Sequence, residues 1–363
     1  MAEPHIALVT PWDRQGGIAT YAERFASALE SAGATVTPIP IEDTDAANPL
    51  GFVGLLDEIT DDADIIHVQF EAGLFGSFGI QGIGAPAFFL ALARVEIPVV
   101  ITLHEVHEEH VHRGTIGDYI LRARDTVIER LALQAADVTI VHTAEAQRVL
   151  NERHRGNWRI ERLLHPAETT ANPVPMAEAK AELDIEGPVV LTFGFIEEKK
   201  RYEDVINVLP EFPNLNYLIA GGFREGEGRT VWRRCQVLAD RLEVSKRIRH
   251  LGYVAEESVP VVFSAADAVI LPYERVSQSG VVNDALAYRR PIVASSLPAF
   301  EELQNEFGCL LTYEDQSELK KHLNMLFSDN GLAQNLRKQA NEYVNAVSWN
   351  QFVSRSLELY DEI

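Results

Sequence analysis

Short apolar runs rich in β-branched residues alternate with longer stretches carrying apolar positions at helical spacing along almost the whole chain. That alternation predicts parallel sheets covered by helices, an α/β fold class. In the first half, strands are expected at 6–10, 35–38, 65–68, 99–103 and 138–141, with a helix at 20–32 that closes at Gly33. Between 164 and 187 the pattern dissolves into HPAETTANPVPMAEAKAELDIEG, which has several prolines and no long apolar face. This reads as a crossing between domains. The second half restarts with strands at 188–192, 216–220, 249–251, 268–271 and 292–294, and a helix at 349–360 ends the chain.

Length sharpens this picture, because a single core stops growing near about 250–300 residues and the chain has 363. Two domains are expected. With 46% hydrophobic and 24% charged residues the composition is that of a globular protein able to bury sizeable cores. A formal charge of −22 argues against general nucleic-acid binding, which needs a dense field of Lys and Arg. A local exception is 148–162, where Arg148, Arg153, Arg155, Arg159 and Arg162 outnumber Glu152 and Glu161. It reads either as a solvated face or as a contact for acceptor phosphates or an anionic membrane surface. The two cysteines, Cys235 and Cys309, have no metal-type spacing and fit a reducing, cytoplasmic setting. The first residues lack the basic leader of a signal peptide, and the apolar stretch 83–93 is too short to span a bilayer, so an integral membrane protein is not expected.

Candidate chemistry lies just past the predicted strands. After 268–271 comes Pro272 and then Ser277-Gln278-Ser279-Gly280, with a helix expected from Val281. A helix start exposes unpaired N–H groups and the positive end of the dipole, a seat for a diphosphate. Gly16-Gly17 forms a similar turn before the first helix. The Gly16-Gly17 stretch matches neither the GxGxxG dinucleotide fingerprint nor a Walker loop. Asp284, four residues past Gly280, either accepts a ribose hydroxyl or simply complements the helix dipole. His104 follows the 99–103 strand, on the sheet edge that faces a ligand crevice; the plainer reading is a histidine bonded to a loop. His107, His110 and His112, with Glu105, Glu108 and Glu109, lack an HExxH register and read as a polar loop, so no metal site is expected. Lys199, Lys200 and Arg201 follow the first strand of the second half, where a lysine suits a leaving phosphate.

In order, the segments GGIATYAERFASALESAG, ADIIHVQFEAGLFG, PVVITLHEVH, LTFGFIEEKKRYEDVI, HLGYV, LPYERVSQSGVVNDALAYRRPIVAS and SWNQFVSRSLELYDEI resemble the retaining GT-B glycosyltransferases of family four, in the branch with an SQSG loop. The resemblance implies two Rossmann-like parallel-sheet domains facing a central cleft. An acceptor-binding domain would span 1–168, completed by a C-terminal helix at 345–363, and a nucleotide-sugar-binding domain would span 169–344. It implies transfer of a sugar from a nucleotide-diphosphate sugar to a glycan, lipid-linked or small-molecule acceptor with retention of configuration, without metal or further cofactor. Work in the cytoplasm, with peripheral contact at the inner membrane face, would fit.

Carried over residue by residue, Gly16 and Gly17 would approach the donor diphosphate and sugar, and His104 would be the crevice histidine near the transferred sugar. Lys200, with Lys199 as its rival, would bind the diphosphate together with Ser277, Gln278, Ser279 and Gly280. Gly252, Tyr253 and Val254 would frame the base, Asp284 would take the second position of E-x7-E, and Glu302 would match an acid after the last donor-loop strand. The chain departs from the pattern at Phe195, where arginine is common, and at Val276, where the first glutamate falls; Glu274 is a nearby carboxylate. A GT-B epimerase or phosphorylase, or a noncatalytic nucleotide-sugar-binding subunit, are the alternatives.

Overall fold

The structure, a computed structural model, describes residues 3–13, 17–41, 48, 50–76, 82–106, 116–167, 172–276, 279–328 and 330–363. The described chain divides into two compact units, one running up to His165 and including Trp349–Ile363, the other comprising Pro166–Ser348.

The first unit is built on strands β1 (His5–Thr10), β2 (Thr35–Pro40), β3 (Ile65–Phe70), β4 (Val99–Leu103), β5 (Val138–Val141) and β6 (Ile160–Arg162), in the order β2-β1-β3-β4-β5-β6, all parallel. β3 and β4 are buried at every position, as strands covered by helices on both faces must be. On one face Phe52, Phe75, Phe88 and Phe89 pack among the strand side chains. On the other, Tyr21, Phe25 and Leu29 from the helix Gly17–Ser31 meet Phe352, Val353 and Leu359 from the last helix, Trp349–Asp361. Tyr360 on that helix hydrogen-bonds His67 Nδ1 at 2.5 Å, and His67 Nε2 meets Thr102 Oγ1 at 2.8 Å. The end of the sequence thus seals the core that its beginning opens.

The second unit carries β7 (Val189–Phe193), β8 (Asn216–Ala220), β9 (Ile248–His250), β10 (Ala268–Leu271), β11 (Ile292–Ser295) and β12 (Leu311–Tyr313), in the order β12-β11-β10-β7-β8-β9, again parallel. Counted from its own first strand this is the doubly wound order, which reverses direction between β7 and β10; in the first unit the reversal falls between β1 and β3. Ligands of open α/β sheets bind outside the carboxyl ends of the strands flanking such a reversal.

Strands β6 and β12 and the helix Met176–Glu182 lie where the hydrophobic pattern predicted no element. β6 and β12 are three-residue edge strands, too short for a period to register. Within the predicted crossing, Met176–Glu182 is helical and buries Ala179 against the helix Val259–Ala265. One buried alanine leaves no apolar stripe in the sequence. β2 tolerates Pro38 and Pro40 because it is an edge strand.

Candidate functional site

In the second unit the candidate residues gather at the reversal point. The loop leaving β7 begins at Gly194, with φ +94°, and returns Lys200 beneath it: a Cβ at Gly194 would lie 2.5 Å from Lys200 Nζ. No side chain fits between them. Lys200 is 4% exposed; its Nζ donates to the Phe193 carbonyl at 2.9 Å and lies 5.7 Å from the Tyr273 ring centroid. Burial pushes its pKa down to about 8; Glu197 opposes the shift, and Lys199 and Arg224 add to it. The amine therefore remains a cation at neutral pH, held near its titration point. Lys199 turns away and pairs with Glu197 at 3.7 Å, while its carbonyl accepts from the Glu274 N–H at 2.7 Å. That bond stitches the loop after β7 to the loop after β10.

Beyond β10, Tyr273 is buried; its side chain is hydrogen-bonded to Ser279 and its carbonyl accepts from Ser295 Oγ at 2.6 Å. Ser279 stands at the N-cap of the helix Gly280–Ala287 without capping it. Lys200, Tyr273 and the start of that helix are thus brought together by two loops far apart in the sequence. Ser277 and Gln278 lie outside the described residues, as do Gly16, His107, His110 and His112. Gly280 is exposed, and Asp284 is half-buried one turn into the helix. Its buried neighbour Asn283 is occupied, donating to the Pro166 carbonyl at 3.3 Å and accepting from Tyr343 at 2.9 Å. Glu274 is exposed and Val276 half-buried; Glu302 is half-buried on the helix Pro298–Phe307.

The loops after β8 and β9 complete this edge. Gly194 N–H donates to Ala220 O at 2.8 Å, Ile196 N–H to Gly222 O at 2.8 Å, and Gly221 N–H to Gly252 O at 2.7 Å. A Cβ at Gly221 would stand 2.1 Å from Gly194 O, so the two backbones are in direct contact. Gly252 has φ +74°, Val254 is half-buried, and Tyr253 is 63% exposed. Phe195, 45% exposed, approaches Gly222 from the other side, its Cε1 3.8 Å from where a Cβ would be. Sequence reasoning passed over Gly221, Gly222 and Tyr273, although a glycine pair directly after the run Asn216–Ala220 was a readable sign of close backbone approach.

In the first unit, Gly17 opens the helix after β1 with open space where a Cβ would be. His104 stands one residue beyond β4, 4% exposed, its N–H donating to Phe70 O at 3.0 Å and its Nε2 2.7 Å from Gln69 Oε1. Tyr21 meets its ring edge-on at 4.9 Å between centroids, and His142, one residue beyond β5, lies 5.3 Å away. Burial, with His142, His165 and His67 nearby, holds the His104 pKa well below the ordinary value, so the ring is neutral. The arginine-rich stretch is largely answered within its own unit: Arg148 pairs with Glu145 and Glu152, Arg153 with Glu129, and Arg159 with Glu161 and Glu362. Among the described residues no group of three or more His, Cys, Asp or Glu is arranged to hold a metal, and no helix is long and apolar enough to cross a membrane.

The family described as glycosyl transferases group 1 matches residues 176–343. A D-inositol 3-phosphate glycosyltransferase of Mycobacterium sp. (strain JLS) is 29% identical over 242 residues, covering 64% of this chain and 52% of the relative. Another of that name from Mycobacterium marinum (strain ATCC BAA-535 / M) is 25% identical over 305 residues, covering 82% of this chain and 63% of the relative. The chain thus spans about half to two thirds of the length of these curated relatives. Among solved structures, sucrose-phosphate synthase (tll1590) from Thermosynechococcus elongatus superposes with a TM-score of 0.81 at 18% identity, covering 99% of both chains. Anabaena Alr3699/HepE, solved in complex with UDP and glucose, gives 0.75 at 16%, covering 97% of this chain and 99% of that one. The chain therefore has the GT-B fold, and its second unit, over residues 176–343, is matched to the glycosyl transferases group 1 family.

Proposed function

We propose that the protein transfers a sugar from a nucleotide-diphosphate sugar to an acceptor hydroxyl, with retention of anomeric configuration. The observation that carries this reading is the enclosed Lys200 ammonium at the reversal point of the second sheet, beside the start of the helix Gly280–Ala287, which the Ser279 side chain does not cap. A cation and aligned N–H dipoles fixed in one place stabilise the charge that builds on a departing diphosphate without reorganising. The family matched by this unit, and the UDP and UDP-glucose bound by Anabaena Alr3699/HepE, support a nucleotide sugar as the donor.

In this reaction the glycosidic C–O bond to the diphosphate breaks as the acceptor oxygen bonds to the same face of the anomeric carbon. The departing phosphate oxygen takes the acceptor proton. On the second unit, Lys200 and the helix start hold the diphosphate, and Gly252, Tyr253 and Val254 border the base; on the first, the neutral His104 imidazole offers a hydrogen-bonding nitrogen to a sugar hydroxyl. The name of the mycobacterial relatives makes D-inositol 3-phosphate the first acceptor to try. Incubation with UDP-, GDP- and ADP-sugars should release nucleotide diphosphate only when acceptor is present and leave the rate unchanged by EDTA. An epimerised sugar formed without acceptor would end this reading.

A further inference from the structure

We propose that Gln69 is a positioning residue that fixes the tautomer of His104, keeping the proton on Nε2 and the lone pair on Nδ1. The proposal rests on the reading above in giving His104 a sugar hydroxyl to meet. Gln69 is a wholly buried amide near the end of β3, between Val68 and Phe70, paired in register with Thr102 while Phe70 receives the His104 N–H. A buried amide at such a place is unfavourable unless it is hydrogen-bonded. The bond its side chain makes is the one to His104: Oε1 lies 2.7 Å from Nε2, whereas its own nitrogen has no partner among the described residues.

The chemistry of that bond is directional. An amide oxygen can only accept, and a neutral imidazole carries one N–H, so acceptance from Nε2 leaves Nδ1 unprotonated. Among the described residues, the titratable groups facing the ring are Tyr21 from the helix Gly17–Ser31, His67 on β3, His142 beyond β5 and His165 beyond β6. His142 shows the complementary arrangement: Nδ1 lies 2.8 Å from the Leu163 carbonyl, which accepts, so its Nε2 holds the lone pair and has no partner among the described residues. The Tyr21 hydroxyl beside both rings is buried and likewise has no partner among the described residues. An amide at position 69, rather than a carboxylate, orients the His104 ring without drawing a second proton onto it. A carboxylate there would favour the imidazolium and remove the lone pair.

The test is a long-range 1H–15N spectrum of the full chain labelled in histidine, with His104 assigned from the signals lost in His104→Gln. The wild type should show His104 as the Nε2–H tautomer, and Gln69→Leu should convert it to a mixture. Gln69→Glu should raise the imidazole pKa and move the acidic limb of kcat/KM upward by about 1–3 pH units. A merely structural role would lower folded yield and leave tautomer and pH profile alone. If Gln69→Leu does not fold, the wild-type spectrum and Gln69→Glu decide. An Nδ1–H tautomer in the wild type, which a reversed amide would impose, overturns the proposal, as does an unchanged profile in Gln69→Glu. The spectrum needs no turnover, so a protein that transfers nothing to any acceptor would defeat the proposed function while leaving this result readable.

Discussion

At the scale of single residues, Lys200 is the side chain with most at stake. Its neighbour Lys199 has the same charge and nearly the same sequence context, yet is part-exposed and paired with Glu197, whereas Lys200 is folded under Gly194. Lys200→Ala should leave the fold intact and lower kcat by about 10²–10³-fold in a steady-state transfer assay, the usual cost of deleting one donor to a developing anion. Its pH dependence has a definite sign. The folded pKa, about 8, lies below the ordinary 10.5. Donor affinity should therefore be level below about pH 8 and fall by up to about tenfold per unit above it, as the amine loses its proton; titration calorimetry across that range would show it. Stability moves the other way, rising with pH between the two values because the unfolded chain then binds more protons. An affinity that strengthened above pH 8 would exclude Lys200 as the diphosphate cation.

At the scale of elements, the carboxyl ends of β7, β8 and β9 are laced together by main-chain hydrogen bonds through Gly194, Gly221, Gly222 and Gly252. Gly221→Ala would drive a methyl into the Gly194 carbonyl and strain a backbone at φ +153°. A loss of about 1–3 kcal/mol in chemical unfolding is expected, together with weaker donor binding, since the loop that the methyl would push, beginning at Gly194, carries Lys200. The last helix has a different task. Phe352 is buried against Tyr21 and Phe25, so Phe352→Ala should cost about 3–5 kcal/mol in the first unit, read from its urea midpoint. Most strands were legible because a buried parallel strand must be an apolar run bounded by turns. His104 and Lys200 were legible as candidates for a related reason: each lies in the loop that follows such a run. β6, β12 and Met176–Glu182 were not legible, since a three-residue edge strand or a helix burying one alanine leaves no period to detect.

At the scale of the molecule, the second unit is continuous in sequence and the first is not. Ala167 and Ser348 form a bridge, and the Ala167 N–H donates to Val347 O at 2.9 Å, so the second unit's two ends are already tied to each other. Expressed alone, Pro166–Ser348 should fold and be stabilised by a nucleotide sugar by about 2.7 kcal/mol at a hundredfold excess over Kd, measured by thermal shift. Residues 1–165 without the last helix should instead expose Phe25 and Leu29 and aggregate. What the amino-acid order settled unaided was local: where apolar runs begin and end, hence two α/β halves, and which polar residues fall just past a strand. The third dimension decided the rest. Strand order, the burial of Lys200 rather than Lys199, the amide of Gln69 against His104 and the contact of Gly221 with Gly194 all depend on residues far apart in the chain, and a periodic pattern holds no information about partners it does not contain.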